Sequence, residues 1–228
     1  QSASGDAIAF LRHDLAVEAT WTDAVEAGLD GAAAVTGPIH ETLPAGMTTT
    51  APETRRIRDR EVTYFNGGNV AFRAEVLDRL DGFDEYLETG GARDAAHRLA
   101  GLDREVAWES ELCVRTEYEA DGGVDERDHE WKYRALSYRL VKNYGVRPTV
   151  VRRVASHAGS DAVAAARDVV TGSATPTGWV GNGRDVVVGI ATGWSDGLVA
   201  RARDRTAARN PHGCSKRADR AVAKYDRR

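Results

Sequence analysis

The stretch Tyr64-Phe65-Asn66-Gly67-Gly68-Asn69-Val70-Ala71-Phe72-Arg73-Ala74-Glu75-Val76-Leu77-Asp78-Arg79-Leu80-Asp81-Gly82-Phe83-Asp84 reads as a turn, a short helix and a second turn, in that order. Gly67 and Gly68 carry no Cβ, so the main chain there can turn sharply or let another group approach closely. Asn66 and Asn69 flank them with amide donors and acceptors, which suits a polar pocket floor. Val76, Leu77 and Leu80 recur at helical spacing, and Gly82 stands where a helix C-cap belongs. Glycine pairs and glycine-capped helices also occur in unrelated α/β domains, so the flanking segments have to decide.

Upstream, Ala7 to Leu11 is an apolar strand that ends in the polar cluster Arg12-His13-Asp14. A helix follows near Trp21 to Leu29, then a strand from Ala33 to Ile39, giving a β-α-β start. Downstream, Arg93-Asp94-Ala95-Ala96-His97-Arg98-Leu99 has the period of a helix, and Glu105-Val106-Ala107-Trp108 that of a strand. Between these blocks, Glu41 to Arg60 shows neither hydrophobic period. It contains Pro44, Pro52 and the cluster Arg55, Arg56, Arg58 and Arg60, and reads as a long functional or surface loop.

With 228 residues the chain suffices for one substantial α/β domain with an appendage. A net charge of -4 is too close to balance for a whole-protein nucleic-acid field, so no nucleic-acid partner is expected. Lys132, Lys142, Lys216 and Lys224 are the only lysines, an arginine bias that fits either a GC-rich genome or adaptation to high salt. Cys113 lies in an apolar run and reads as a buried free thiol, which favours a reducing compartment. The histidines form no pair at zinc-ligand spacing, and no run reaches the roughly 20 apolar residues of a membrane span.

Beyond about residue 120, Tyr133, Leu136, Leu140 and Tyr144 form a helical stripe, and a second helix is expected from Pro148 to Val170. Thr171 to Gly183 is rich in Gly, Ser and Thr, and Arg201 to Arg228 is basic and polar. The division expected is residues 1–120 as an α/β domain, 121–171 as an amphipathic helical extension and 172–228 as a tail. The basic helices from Glu130 to Arg153 suit either a membrane surface or ordinary packing with snorkelling Arg and Lys.

From about Ser4 to Trp108, the order and spacing of these elements resembles the family-two glycosyltransferases of the GT-A fold. There a Gly-Gly-Asn turn precedes a helix ending in Gly-Gly-Phe-Asp-Glu, and here Asp81-Gly82-Phe83-Asp84-Glu85 stands in the last place. The resemblance implies an α/β fold: a GT-A-like mixed sheet of strands near Ala7, Ala33, Val70, Val106 and Cys113, flanked by helices, with a helical C-terminal appendage. It also implies transfer of a sugar from a nucleotide sugar to a glycan or polyprenyl-linked acceptor, at the cytoplasmic side of a membrane.

Carried over residue by residue, the resemblance gives substrate contacts to Asn66, Gly67, Gly68, Asn69, Asp84, Glu85, Arg98 and Arg12. Asp14 matches the second aspartate of the family's Asp-x-Asp motif, which implies a divalent cation, magnesium or manganese. Arg12 replaces the first aspartate and weakens that site, but its guanidinium could contact the diphosphate instead. The family's Glu-Asp pair falls on Gly91 and Ala92, so the base has to come from Asp94 or Glu88. Asp94 also suits a structural role at the helix start, paired with Arg98 one turn on. Thr116 stands near the place of a histidine in many relatives. The family's nucleotide-binding strands precede the segment that here begins at Gln1, implying a fragment or a shortened relative that needs a partner. Asp14, Asn69 and Asp94 are expected to line one cleft. A non-catalytic glycan- or lipid-phosphate-binding module of the same descent remains an open alternative, favoured by Arg12 and Ala92.

Overall fold

The computed structural model describes residues 5–40, 52–116, 129–171 and 175–214, and their contacts fall into two units. The first comprises the described residues up to 116 together with 210–214, and the second those from 129 to 209. The first is mixed α/β, as expected.

Four strands form its main sheet: β1 (Ala7–Leu11), β7 (Asn69–Arg73), β3 (Ala34–Thr36) and β8 (Val106–Trp108), neighbours in that order. β7 runs antiparallel to both β1 and β3, while β3 and β8 are parallel. Alternation along β7 sends Asn69 and Ala71 to one face and Val70 and Phe72 to the other. On the first face lies α1 (Trp21–Gly31), whose Trp21, Ala24, Val25 and Leu29 pack with Val35 and Ala71. On the second, Phe72 meets Phe10, Phe65 and Phe83 edge to face, with ring centroids 5.9, 5.4 and 6.1 Å away. Arg73 bonds the carbonyls of Leu29, Asp30 and Ala32, placing a cation at the negative end of α1.

The strand expected near Cys113 does not join this sheet. β2 (Leu15–Val17), β9 (Val114–Thr116) and β4 (Ile39–His40) form a separate three-stranded sheet. The run expected as one strand from Ala33 to Ile39 is broken at Gly37-Pro38, so its two ends serve different sheets. The stretch read as a loop through Arg60 instead contains the start of a hairpin, β5 (Thr54–Ile57) with β6 (Arg60–Thr63); Glu41 to Ala51 lies outside the described residues. Only Ile57 and Val62 of that hairpin are buried, too few to leave a legible alternation. α2 (Ala74–Leu80) and α3 (Gly91–Gly101) fall where the sequence places helices.

The second unit contains α4 (His129–Tyr144), α5 (Pro148–Val170) and α6 (Pro176–Arg203). Helices were expected from Asp125 to Tyr144 and from Pro148 to Val170; α4 and α5 fall there, and residues 125–128 lie outside the described ones. α6 corrects the expected Gly/Ser/Thr-rich segment and the start of the tail, whose last residues, 215–228, are not described. Its glycines explain the error. Gly189, Gly193 and Gly197 recur every fourth residue on one helix face, and that face lies on the α4 backbone. A Cβ at Gly189 or Gly193 would overlap the carbonyl oxygen of Glu130 or Arg134, and one at Gly197 would sit 2.9 Å from that of Tyr138. Low intrinsic helix propensity is thus offset by close packing, a tertiary effect that a local reading misses. Arg201 bonds the carbonyls of Lys142 and Asn143 at 3.0 and 3.1 Å, closing the C-terminal end of α4.

Gly193→Ala should therefore lower stability by about 1–3 kcal/mol through overpacking. Gly181→Ala, whose Cβ meets nothing within 4 Å, should be neutral or stabilise by up to about 1 kcal/mol through helix propensity. Thermal unfolding of the two variants beside the parent checks both.

Candidate functional site

The Asn66–Asn69 turn is built from its own side chain and from its neighbours. Asn66 Oδ1 accepts the Gly68 N–H at 2.8 Å, and the Asn69 N–H donates to the Asn66 carbonyl at 3.1 Å, closing a tight Asx-type turn. The Arg12 N–H donates to the Gly68 carbonyl at 3.0 Å, which carries the β1–β7 pairing one residue beyond β1. A Cβ on Gly68 would stand 2.9 Å from Arg12 Cβ, and one on Gly67 would stand 3.0 Å from Ala92 Cβ. The paired glycines thus let β1's end, the turn and the first turn of α3 close on one another. Arg12, Asn66, Gly67, Gly68 and Ala92 share this meeting point, with Arg12, Asn66 and Gly67 exposed.

Asp14 belongs to the same corner but is bound to Arg12, whose Nε lies 2.5 Å from Asp14 Oδ1. Asp14 is only 5% exposed. The Arg12 guanidinium holds its carboxyl below the usual carboxylate range against the opposing effect of burial, with a smaller contribution from His13. A hard cation prefers several anionic oxygens, whereas here the one carboxylate is already paired with a fixed positive charge. Among the described residues no cluster of three or more His, Cys, Asp or Glu could hold a metal. The donor set does not fit the divalent cation that the resemblance implies.

Asn69 corrects the pocket-floor expectation. It is 0% exposed; its Oδ1 accepts from Trp21 Nε1 at 3.0 Å, while its Nδ2 donates to the carbonyls of Leu112 at 2.8 Å and Pro38 at 3.3 Å. The amide serves as internal scaffold. Asp94 is likewise 0% exposed, and its Oδ2 accepts from Arg98 Nε at 2.8 Å. Arg98 donates its remaining edge to the carbonyls of Leu80 at 2.6 Å and Gly82 at 2.8 Å. A carboxylate so enclosed is not placed to take a proton from an acceptor hydroxyl; the structural alternative for Asp94 and Arg98 is the one observed. Asp14, Asn69 and Asp94 do not jointly line an open cleft.

Asp84 is also buried, where its Oδ1 accepts the Tyr86 N–H at 3.0 Å and shapes the turn after α2. Glu85 is exposed, with its backbone N–H donating to the His212 carbonyl at 3.2 Å. Glu88 is exposed, so of the two carboxylates expected as base it alone stays accessible. Thr116 lies on β9, in the smaller sheet.

The sequence reading missed a charged cluster beside α3. Arg93 lies 4.6 Å from the Tyr64 ring centroid and bonds Glu53 at 2.8 Å, with Arg55 on the same carboxylate at 3.3 Å. Burial raises the Glu53 carboxyl, but Arg93 and Arg55 more than offset this and leave it below the usual range. The cluster joins residues 40 apart, and only the run of arginines before β6 hinted at it. Cys113, expected to be buried within a strand, sits partly exposed just before β9, 3.0 Å from His40 Nε2. Burial, then Glu111 and Glu18, push its thiol pKa up, so it is a poor nucleophile. A hollow of about 400 Å³ lies between β6 and the α3–β8 turn, lined by Arg60, Ala96 and Arg104 among others, away from the expected site residues.

No family model matches the chain, nor does any curated protein or solved structure.

Two measurements test these assignments. Asp94→Asn should cost about 3–5 kcal/mol by leaving Arg98 charged, buried and without its carboxylate; a catalytic Asp94 would instead lose turnover at unchanged thermal stability. Asp14 and Glu53 both have lowered folded-state pKa values, so their contributions are present above the unfolded carboxylate pKa of about 4 and are lost as pH falls through the lower folded values. Arg12→Met should therefore lower stability at neutral pH, and the difference from the parent should shrink as pH falls through the folded Asp14 value, as read by denaturant unfolding followed by circular dichroism across pH.

Proposed function

We propose that this chain is a glycosyltransferase domain of the GT-A kind, carrying a sugar from a nucleotide-sugar donor to a glycan or polyprenyl-linked acceptor. What carries the reading is the meeting of Arg12, the Gly67-Gly68 turn and Ala92. Those are the places at which the resemblance puts the donor-phosphate motif, the acceptor-side turn and the catalytic helix, and they were identified from segments about 55 and 25 residues apart. The mixed sheet with antiparallel β7 at its interior is compatible with it.

In this proposal the exposed corner receives the donor diphosphate beside Arg12. The acceptor approaches over Gly67 and Gly68, where the lack of side chains leaves the backbone close to the sugar. Glu88 accepts the proton of the attacking hydroxyl, since Asp94 is enclosed. Among the described residues no helix is long and apolar enough to cross a membrane. In this proposal a lipid-linked acceptor is met at the bilayer surface, on the cytoplasmic side that the resemblance implies.

The non-catalytic alternative, a glycan- or lipid-phosphate-binding module, has its own support in Ala92 at the base position and in the engagement of Asp14 by Arg12. Sugar transfer separates the two. The purified protein, given a panel of nucleotide sugars with polyprenyl phosphate or glycan acceptors and read by mass spectrometry, should form glycosylated product. Glu88→Gln should lower kcat by about a hundredfold with little change in donor KM, the size and signature of a lost general base. Glycan binding without product across the panel would favour the module.

A further inference from the structure

The misfit between Asp14's surroundings and a divalent cation points to a different charge at the same place. Resting on the glycosyltransferase reading, we infer that the Arg12 guanidinium, held by Asp14 and backed onto Gly68, is the group that neutralises the donor diphosphate, and that diphosphate binding by this chain needs no divalent cation.

Three observations carry this. A metal ion reaching Asp14 would have to displace the Arg12 Nε from Oδ1 and then sit beside the displaced guanidinium, whereas a diphosphate approaching Arg12 meets a charge opposite to its own. Arg12 is also oriented: Asp14 fixes the Nε edge, while the side chain as a whole stays 43% exposed. The planar fork of a guanidinium matches paired phosphate oxygens, and fixing one edge lowers the conformational entropy lost when an anion binds. Finally, the stem of Arg12 runs against the turn, with its Cβ and Cδ 2.9 and 3.7 Å from the Cβ position of Gly68. Any side chain there would push the arginine away. The Asn66 side chain holds the turn in shape, so Asn66, Gly68 and Asp14 act as positioning residues for one cation.

The test is calorimetric titration of the full chain with uridine diphosphate, guanosine diphosphate and pyrophosphate, each with manganese or with a chelator. The parent should bind at least one of these probes with similar affinity in both conditions. Arg12→Ala should weaken that binding about tenfold or more, and Arg12→Lys, which keeps the charge and the stem but loses the fork, should fall between. Arg12→Asp, which restores an acidic pair with Asp14, should bind only when manganese is present. Circular dichroism of each variant separates lost binding from lost folding, and Arg12→Lys keeps the comparison interpretable should Arg12→Ala unfold. Binding by the parent that disappears with the chelator would overturn the inference while leaving the donor-binding reading in place. So would unchanged binding by folded Arg12→Ala. Absence of diphosphate binding by the parent in both conditions would overturn the donor-binding reading itself, and this inference with it.

Discussion

The first unit is organised around the side-chain amide of Asn69. Its oxygen accepts a hydrogen bond from the Trp21 indole on α1, and its nitrogen donates to the carbonyls of Pro38 and Leu112, which flank the crossing from the main sheet to the smaller one. The main-chain carbonyl of Asn69 accepts the Thr36 hydroxyl at 2.7 Å on the neighbouring strand. Each of these polar atoms lies where water does not reach, and leaving any one unmet costs about 1–3 kcal/mol. An aspartate at this position could not donate, and an alanine would abandon three groups at once. The turn over Gly67 and Gly68 is therefore anchored at its far end, and a surface feature inherits its rigidity from the interior.

That arrangement also shows what a sequence can disclose. The apolar runs of β1, β7 and β8 and the periodic spacing in α1, α2 and α3 are local signals, and the structure has all six elements close to where they were read. Gly37-Pro38 is local too, but whether a strand resumes in the same sheet after such a break depends on what the next segment pairs with. β4 pairs with β9, some 75 residues later. The polar residues around the site were legible as types and not as roles. Asn69, Asp84 and Asp94 belong to classes that usually face water, yet each is enclosed, because the fold brings unsatisfied backbone groups and one buried arginine to them. Arg12 and Asp14, two residues apart, kept their predicted proximity because a pair so close in sequence needs little tertiary information to meet.

The chemistry of the corner follows from substitutions of charge within an otherwise ordinary backbone. Where the resemblance puts an acidic residue this chain has Arg12, and Asp14 is the counter-charge that steadies it. Ala92 presents only a methyl group where α3 faces Gly67, and the contact is methyl against backbone. The same logic governs the pair of Asp94 and Arg98, whose burial is compatible with stability because the guanidinium meets a carboxylate and two main-chain carbonyls at once.

Asn210 sets the order in which the molecule can be assembled. Its amide nitrogen lies 2.9 to 3.4 Å from the carbonyls of Leu80, Asp81, Gly82 and Phe83, and Cys214 donates its N–H to Asp81, so the turn after α2 is completed by residues about 130 positions later. On a ribosome, the strands and helices of the first unit emerge well before this clasp has been synthesised. The Asp81 and Phe83 carbonyls lack this partner while the second unit is translated, whereas that of Gly82 also has Arg98 within the first unit. Closing the turn is thus a late event with a long loop to bridge, and it couples maturation of the first unit to completed synthesis of the second without requiring any interaction between them.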